Sequence, residues 1–287
     1  MKIEKIARIA EGQDGAIYGT ELFRFDHTGA CSVYKTEDLK RGDASELRPL
    51  ATFRLDRSDV IAPHSNAVCF GCEFYERDDE YPLLYSNVYN NYADSEDKRI
   101  GSCLVYRIQR AGDTFRSTLL QVIEIGFCEN SESWKAYPDK HGDRPYGNFL
   151  VDADNDAYWA FVMRSEELGT RYFRFDLPAA RDGETDPILQ VKRVVLKEAD
   201  VREYFDGAYC RYMQGATLNR GKIYSTEGFD NDPVNVPAIR VIDLAAREES
   251  YFDIRKLGFL EEPEFISFDR DTCLYSDVFG DVYTVAF

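Results

Sequence analysis

The chain has 287 residues, of which 44% are hydrophobic and 14% aromatic, enough to build a large core. Its 35 basic and 52 acidic side chains leave a formal charge of -17, a field that repels phosphate backbones and anionic bilayers, so neither nucleic acid nor a membrane is an expected partner. No stretch approaches membrane-spanning length, no Gly/Ser-rich or Pro-rich run marks a linker, and a single domain is expected.

Lys2 to Ile9 opens the chain with Ile3, Ile6 and Ile9 three apart, a spacing that suits a helical turn at least as well as a strand. Its charges are interleaved with single apolar residues, so a signal peptide is not expected. The 7 cysteines are odd in number and scattered, which makes a cytoplasmic location the simplest expectation. Asp14 to Thr20, Leu22 to Asp26, Cys31 to Lys35 and Arg48 to Leu55 then read as a set of four strands.

Ser65 to Tyr75, Leu83 to Tyr89, Ser102 to Gln109 and Phe115 to Ile125 form a second set, with long connections at Asn90 to Gly101 and Gly126 to Tyr146. Loops of that length in a compact domain are usually functional or mobile. The third set is Gly147 to Asp152, Ala157 to Arg164, Thr170 to Leu177 and Ile188 to Leu196, and the spacing of Val201, Tyr204 and Phe205 predicts a short connecting helix over Glu198 to Phe205. Met213 to Ile254 spells out a complete fourth set: Met213 to Asn219, a tight turn at Arg220-Gly221, Lys222 to Phe229, Ala238 to Leu244, and Glu249 to Ile254. Glu264 to Phe268, Cys273 to Asp277 and Asp281 to Phe287 supply only three strands of a fifth.

That shortfall decides the reading of the amino-terminal segment. If the sets form a ring, Lys2 to Ile9 is the missing strand; it closes the last sheet and removes an exposed edge. Small phrases recur in register, Leu84-Tyr85-Ser86, Ile223-Tyr224-Ser225 and Leu274-Tyr275-Ser276 in second strands, and Arg174-Phe175-Asp176-Leu177 and Arg240-Val241-Ile242-Asp243-Leu244 in third strands. The chain therefore resembles a β-propeller: all-β, with five blades of four antiparallel strands around a central channel. Six blades is the alternative, if Leu55 to Ser65 or Gly126 to Tyr146 holds extra strands. No tryptophan-aspartate signature, kelch glycine pair or sialidase-type Asp-box identifies a particular family.

The resemblance implies that loops leading into first strands, and those joining second to third strands, surround one mouth of the channel. Asp14, His64, Asn66, Asn148, Gln214 and Glu264 fall at the starts of first strands, with Trp134 and Tyr137 in the long loop nearby. Such a ring suits a small polar ligand, a carbohydrate among them, held by several directed hydrogen bonds. The same residue types are ordinary turn formers that bond backbone groups.

Propeller glycosidases, which the fold resembles, draw an acid and a base from carboxylates on separate blades, and Asp14, Asp152, Glu227 and Glu264 are the candidates here. His64 is a further candidate general base. The loops carrying Asn87, Tyr89, Asn90 and Asn91, and Glu227, Asp230, Asn231 and Asp232, are rich enough in oxygen to raise Ca²⁺, although neither matches an EF-hand. Cys69-Phe70-Gly71-Cys72 has redox or zinc-ligand spacing, but residues three apart in a regular strand face opposite sides, which favours core thiols. His27, His64 and His141 are too dispersed to mark a catalytic triad. Binding is favoured because amides and aromatics that orient ligands dominate the ring. A hydrolase or lyase acting on a sugar-like substrate and a protein-interaction scaffold are the alternatives.

Overall fold

The computed structural model describes residues 1–41, 46–61, 63–88, 101–127, 138–139, 142–143, 147–210, 212–230 and 232–287. Five antiparallel sheets form a ring as a five-bladed β-propeller. From the channel outward, blade 1 consists of Gly15–Tyr18, Glu21–Phe25, Ala30–Lys35 and Ala51–Arg54. Blade 2 consists of His64–Phe70, Leu84–Val88, Ser102–Ala111 and Thr114–Ile125. Blade 3 is built from Gly147–Asp152, Ala157–Ser165, Gly169–Asp176 and Glu203–Gly207, and blade 4 from Met213–Asn219, Lys222–Glu227, Ala238–Asp243 and Glu248–Asp253. Blade 5 combines Pro263–Asp269, Thr272–Asp277 and Asp281–Ala286 with Lys2–Arg8.

The period of two explains the ring. Successive residues of a strand point to opposite faces of its sheet, and in a blade each face meets a different neighbour. In blade 2, Leu84 joins the core shared with blade 1 while Tyr85 joins the core shared with blade 3. In blade 3, Tyr158 faces blade 2 and Trp159 faces blade 4. Five such clusters occur among the described residues, one for each pair of adjacent blades, including blades 5 and 1.

The closing strand pairs along its length with the carboxy-terminal one, from Lys2 opposite Ala286 to Arg8 opposite Asp281, with one irregularity between Lys5 and Ala7. Ala7 and Ile9 are buried between blades 5 and 1. The three-residue isoleucine spacing is thus carried by a strand that departs from strict alternation, which is why it looks helical when the sequence is taken alone.

Two expectations in the third set are corrected. Lys192–Leu196 is not blade 3's outer strand; it runs parallel to Thr114–Ile125 and widens blade 2, with Lys192 opposite Gln121 and Leu196 opposite Ile125. The twelve-residue Thr114–Ile125 strand leaves an edge that this segment covers, and Val194 and Leu196 fill the core between blades 2 and 3. The outer place in blade 3 goes to Glu203–Gly207, where Phe205 stacks on Tyr172 with ring centroids 5.0 Å apart and also meets Trp159. The expected helix shrinks to the single turn Glu198–Asp200.

Candidate functional site

Beta-bulges set the geometry of the channel. In blades 2, 4 and 5 the pairing of the innermost strand with the second slips at its start, between His64 and Val68, between Met213 and Gly215, and between Pro263 and Phe265. A bulge frees a residue from the ladder and re-aims its side chain, and the residues so freed include Asn66, Gln214 and Glu264. Asp14 immediately precedes the innermost strand of blade 1.

These four side chains meet and tie four blades together. Asp14 Oδ2 accepts from the Val68 amide of blade 2 at 2.8 Å, and the Ala216 amide of blade 4 also acts on the carboxyl. Asn66 Nδ2 donates to Gln214 Oε1 at 3.1 Å and to the Met213 carbonyl at 3.3 Å. Gln214 Nε2 donates to the Gly228 carbonyl and to Glu262. Gln13 Nε2 donates to Glu264 Oε1 at 3.1 Å, joining blades 1 and 5. Gly215 permits this approach, since a Cβ there would lie 2.4 Å from the Glu264 carbonyl and 3.1 Å from Asp14 Oδ1. The result is a polar plug in the channel.

Behind the plug lies Arg24, fully buried, a residue to which sequence reasoning assigned no role. It donates to the Gln13 and Gly12 carbonyls, each at 2.6 Å, and its guanidinium sits 5.6 Å from the centre of the Phe265 ring. Burial lowers its pKa while Glu264 and Asp14 oppose that shift. Burial pushes Asp14 well above the usual carboxylate range, against the Val68 amide bond and the Arg24 charge. Burial also raises Glu264, with the Glu262 charge adding to it and Arg24 opposing it. Asp14 Oδ1, Asn66 Oδ1 and Glu264 Oε2 have no hydrogen-bond partner among the described residues.

Glu262 is the carboxyl of this group that reaches solvent. Burial, and then the neighbouring Asp230 charge, raise it to about 7. Asp230 Oδ1 accepts from the Glu262 amide at 3.2 Å, and Tyr212 and Phe229 stand over the same loops as an exposed ring pair, their centroids 6.2 Å apart. The sequence offers Glu262 and Glu264 as equals; only the bulge at Glu264 makes one the buried member and the other its solvent-facing neighbour.

His64 and Ser65 both adopt left-handed backbone, with φ of 61° and 51°, a strained conformation for residues with side chains. His64 is buried, its amide donates to the His27 carbonyl at 3.1 Å, and burial followed by the His27 charge lowers its pKa to about 4.

The other expected residues are placed differently. Glu227 ends the second strand of blade 4 opposite Met213, but its carboxylate takes Nε and Nη2 of Arg240, on the third strand of the same blade, and Arg240 Nη1 pairs with Glu249 at 2.6 Å. Asp152 ends the innermost strand of blade 3, at the opposite end of the channel from Asp14, and accepts from Asn155 Nδ2 in a turn. Asn148 occupies the innermost strand of blade 3 opposite Phe161; its side chain lies outside the described residues, as do Trp134, Tyr137 and His141.

Asp232 spends Oδ1 on the Val234 and Asn235 amides of its own loop. Tyr89, Asn90, Asn91 and Asn231 are outside the described residues, and among the described residues no three His, Cys, Asp or Glu side chains group as metal ligands. Cys69 and Cys72 both bond toward blade 3: Cys69 Sγ accepts from the Val151 amide, with burial pushing its thiol up to about 12, and Cys72 donates to Asp156; Cys72 is exposed, so the expectation of a core thiol fails there.

At the far end of the channel, where innermost strands finish, a cavity of about 230 Å³ is lined by all five blades, among others by Ile17, Phe70, Asp154, Asn219, Ser267 and Phe268. Its one cationic lining residue, Arg220, is paired with Asp271 at 2.5 Å.

No protein-family model matches the chain, and no curated protein does. Among solved structures, the chain is similar to BamB from Moraxella catarrhalis, with 9% identity over 97% of this chain and a TM-score of 0.34. It is also similar to glutaminyl cyclase from Myxococcus xanthus, with 10% identity, full coverage of this chain, 96% coverage of that one and a TM-score of 0.48. The chain spans 60% of the BamB structure's length.

Proposed function

We propose that this propeller binds a small polar ligand at the channel mouth where the innermost strands begin, between blades 4 and 5. The observation that carries this reading is Glu262, a half-buried carboxyl beside the buried Glu264, its amide bonded to the loop that carries the exposed Phe229 and, through it, the Tyr212–Phe229 ring pair. Its two oxygens recognise hydrogen-bond donors, the aromatic pair offers apolar faces, and the plug beneath fixes the geometry of both. Ligand sites are concave surfaces with few, well-placed polar groups, and sugars present that mixture of hydroxyl donors and apolar CH faces. The cavity at the far end lacks a comparable convergence of ionisable groups.

A second reading draws on the same carboxyl. A group that titrates near neutrality is suited to general acid–base work, and Glu264 and Asp14 supply further carboxyls close by, as hydrolysis of a sugar-like substrate needs. The two readings separate in a thermal-shift screen of sugars, sugar acids, nucleotides and Ca²⁺, with turnover assayed on every hit for the wild type, Glu262→Gln and Glu264→Gln. A binder gives a shift without turnover in any protein. An enzyme keeps binding but loses turnover in at least one variant. If no compound, including the amines named below, raises the melting temperature, the channel-mouth reading fails.

A further inference from the structure

The loops around Glu262 carry large apolar side chains in the open. Tyr212 precedes blade 4, Phe229 and Val234 lie between its second and third strands, Leu260 precedes blade 5, and Phe279 sits in the turn between that blade's second and third strands. All five are 41% to 62% exposed. They lie on the hydrogen-bonded loops that also carry Asp230, Glu261 and Glu262, and the next buried carboxyl in the chain, Glu264, is 1% exposed with Oε2 unpartnered among the described residues. The charge acting on Glu262 is that of Asp230, another carboxylate. Asp230 is exposed and Glu262 half-buried, with the Glu262 amide donating to Asp230 Oδ1; two like charges so placed repel each other, and a cation between them relieves that repulsion. Tyr212 and Asp230 are both held in left-handed backbone, with φ of 49° and 31°. Between them in the chain, Gly228 at φ 99° has no room for a Cβ, which would lie 2.2 Å from the Val236 carbonyl. The backbone that carries the aromatic ring and the carboxylate is therefore constrained by the loop's own geometry.

An acidic recess with an unpartnered buried carboxyl oxygen beneath it and aromatic faces beside it matches one ligand chemistry better than others. An ammonium head is donor-only and positively charged, so it satisfies carboxylate oxygens that a neutral hydroxyl would leave charged and repelling. Aromatic faces attract the same cation and cover an alkyl stem, and the net charge of -17 draws cations toward the protein. We propose that this mouth binds a primary ammonium carried on an apolar stem, with the head between Glu262 and Asp230 and the stem against Tyr212 and Phe229. The proposal rests on the channel-mouth reading above and narrows its ligand class. The ammonium is that of a free aliphatic amine or of a lysine side chain in a peptide.

Calorimetric titration and thermal shift with cadaverine, with its neutral analogue 1,5-pentanediol and with a lysine-centred tripeptide test the proposal. Cadaverine, the tripeptide or both bind and raise the melting temperature, and pentanediol does not. Binding of cadaverine alone identifies a free amine, and binding of the tripeptide alone identifies a lysine side chain. Glu262→Gln weakens the binding roughly tenfold or more, and the double variant Tyr212→Ala/Phe229→Ala weakens it roughly fivefold. The double variant removes exposed side chains and keeps the wild-type melting temperature. Pentanediol or a sugar binding as tightly as the amines, or amines binding Glu262→Gln as tightly as wild type, overturns the ammonium assignment while the channel-mouth reading stands. Failure of both amine probes alongside a hit from the sugar screen does the same, and failure of every compound removes both.

Discussion

Glu227→Gln separates a structural carboxylate from a functional one. Glu227 and Arg240 are 3% and 4% exposed, joined by two hydrogen bonds, and Glu249, with its side chain 20% exposed, holds the third face of the guanidinium. Glutamine at 227 keeps one acceptor oxygen but turns its amide nitrogen toward a guanidinium that can only donate, and it removes half of the charge compensating Arg240. Breaking a buried pair on one side costs about 3 to 5 kcal/mol, and the surviving Glu249 contact places this case near about 3 kcal/mol. At about 2 °C per kcal/mol for a chain of this size, the melting temperature falls by roughly 6 °C. Urea denaturation and calorimetry measure the loss. A double-mutant cycle with Glu227→Leu and Arg240→Leu isolates the pair, whose coupling exceeds about 1 kcal/mol because the residues are in contact. Ligand binding at the channel mouth is unchanged in Glu227→Gln. A loss under about 1 kcal/mol, the size measured for solvent-exposed pairs, refutes the reasoning, since it means water already screens the interaction.

Deleting residues 1–10 removes the outer strand of blade 5 and the burial of Ala7 and Ile9, so the whole ring melts earlier and less cooperatively; an unchanged calorimetric transition counts against closure by that strand. Gly215→Ala forces a Cβ against the Glu264 carbonyl and destabilises by roughly 1 to 3 kcal/mol, the range for overpacking, readable as a lowered urea midpoint. Glu262 has a folded pKa of about 7 against an ordinary 4.5, so between those values the folded protein holds a proton that the unfolded chain has released. Its contribution makes stability fall as pH rises across that window. Glu262→Gln therefore flattens the pH dependence of the urea midpoint and raises it relative to wild type at pH values above the window. His64 acts in the opposite direction. With its pKa lowered from 6.5 to about 4, its contribution to stability is lost as pH falls through that range, and His64→Gln removes that part of the acid sensitivity.

The strands and their grouping were legible because each blade repeats one local instruction, alternation that serves two neighbours, with turn residues between strands. Leu84-Tyr85-Ser86 and Leu274-Tyr275-Ser276 mark second strands since both of their faces are buried in inter-blade cores. The open fourth place in the last set assigns Lys2 to Ile9 its role from the sequence alone, and the strand spans Lys2–Arg8. Alternation says which residues are buried but not against which edge, and so Lys192–Leu196 passed to blade 2 and Glu203–Gly207 took its place. The mouth residues were legible as positions and illegible as roles. Asp14, Asn66, Gln214 and Glu264 do converge, but their burial, and the solvent-facing place left to Glu262, follow from three bulges whose register depends on the second strands. Glu227 and Glu264 are the same side chain near the same end of the channel. Glu227 is taken by Arg240 on the neighbouring strand of its own blade, whereas Glu264 accepts from Gln13 of blade 1, and only the second of these pairings depends on the ring having closed.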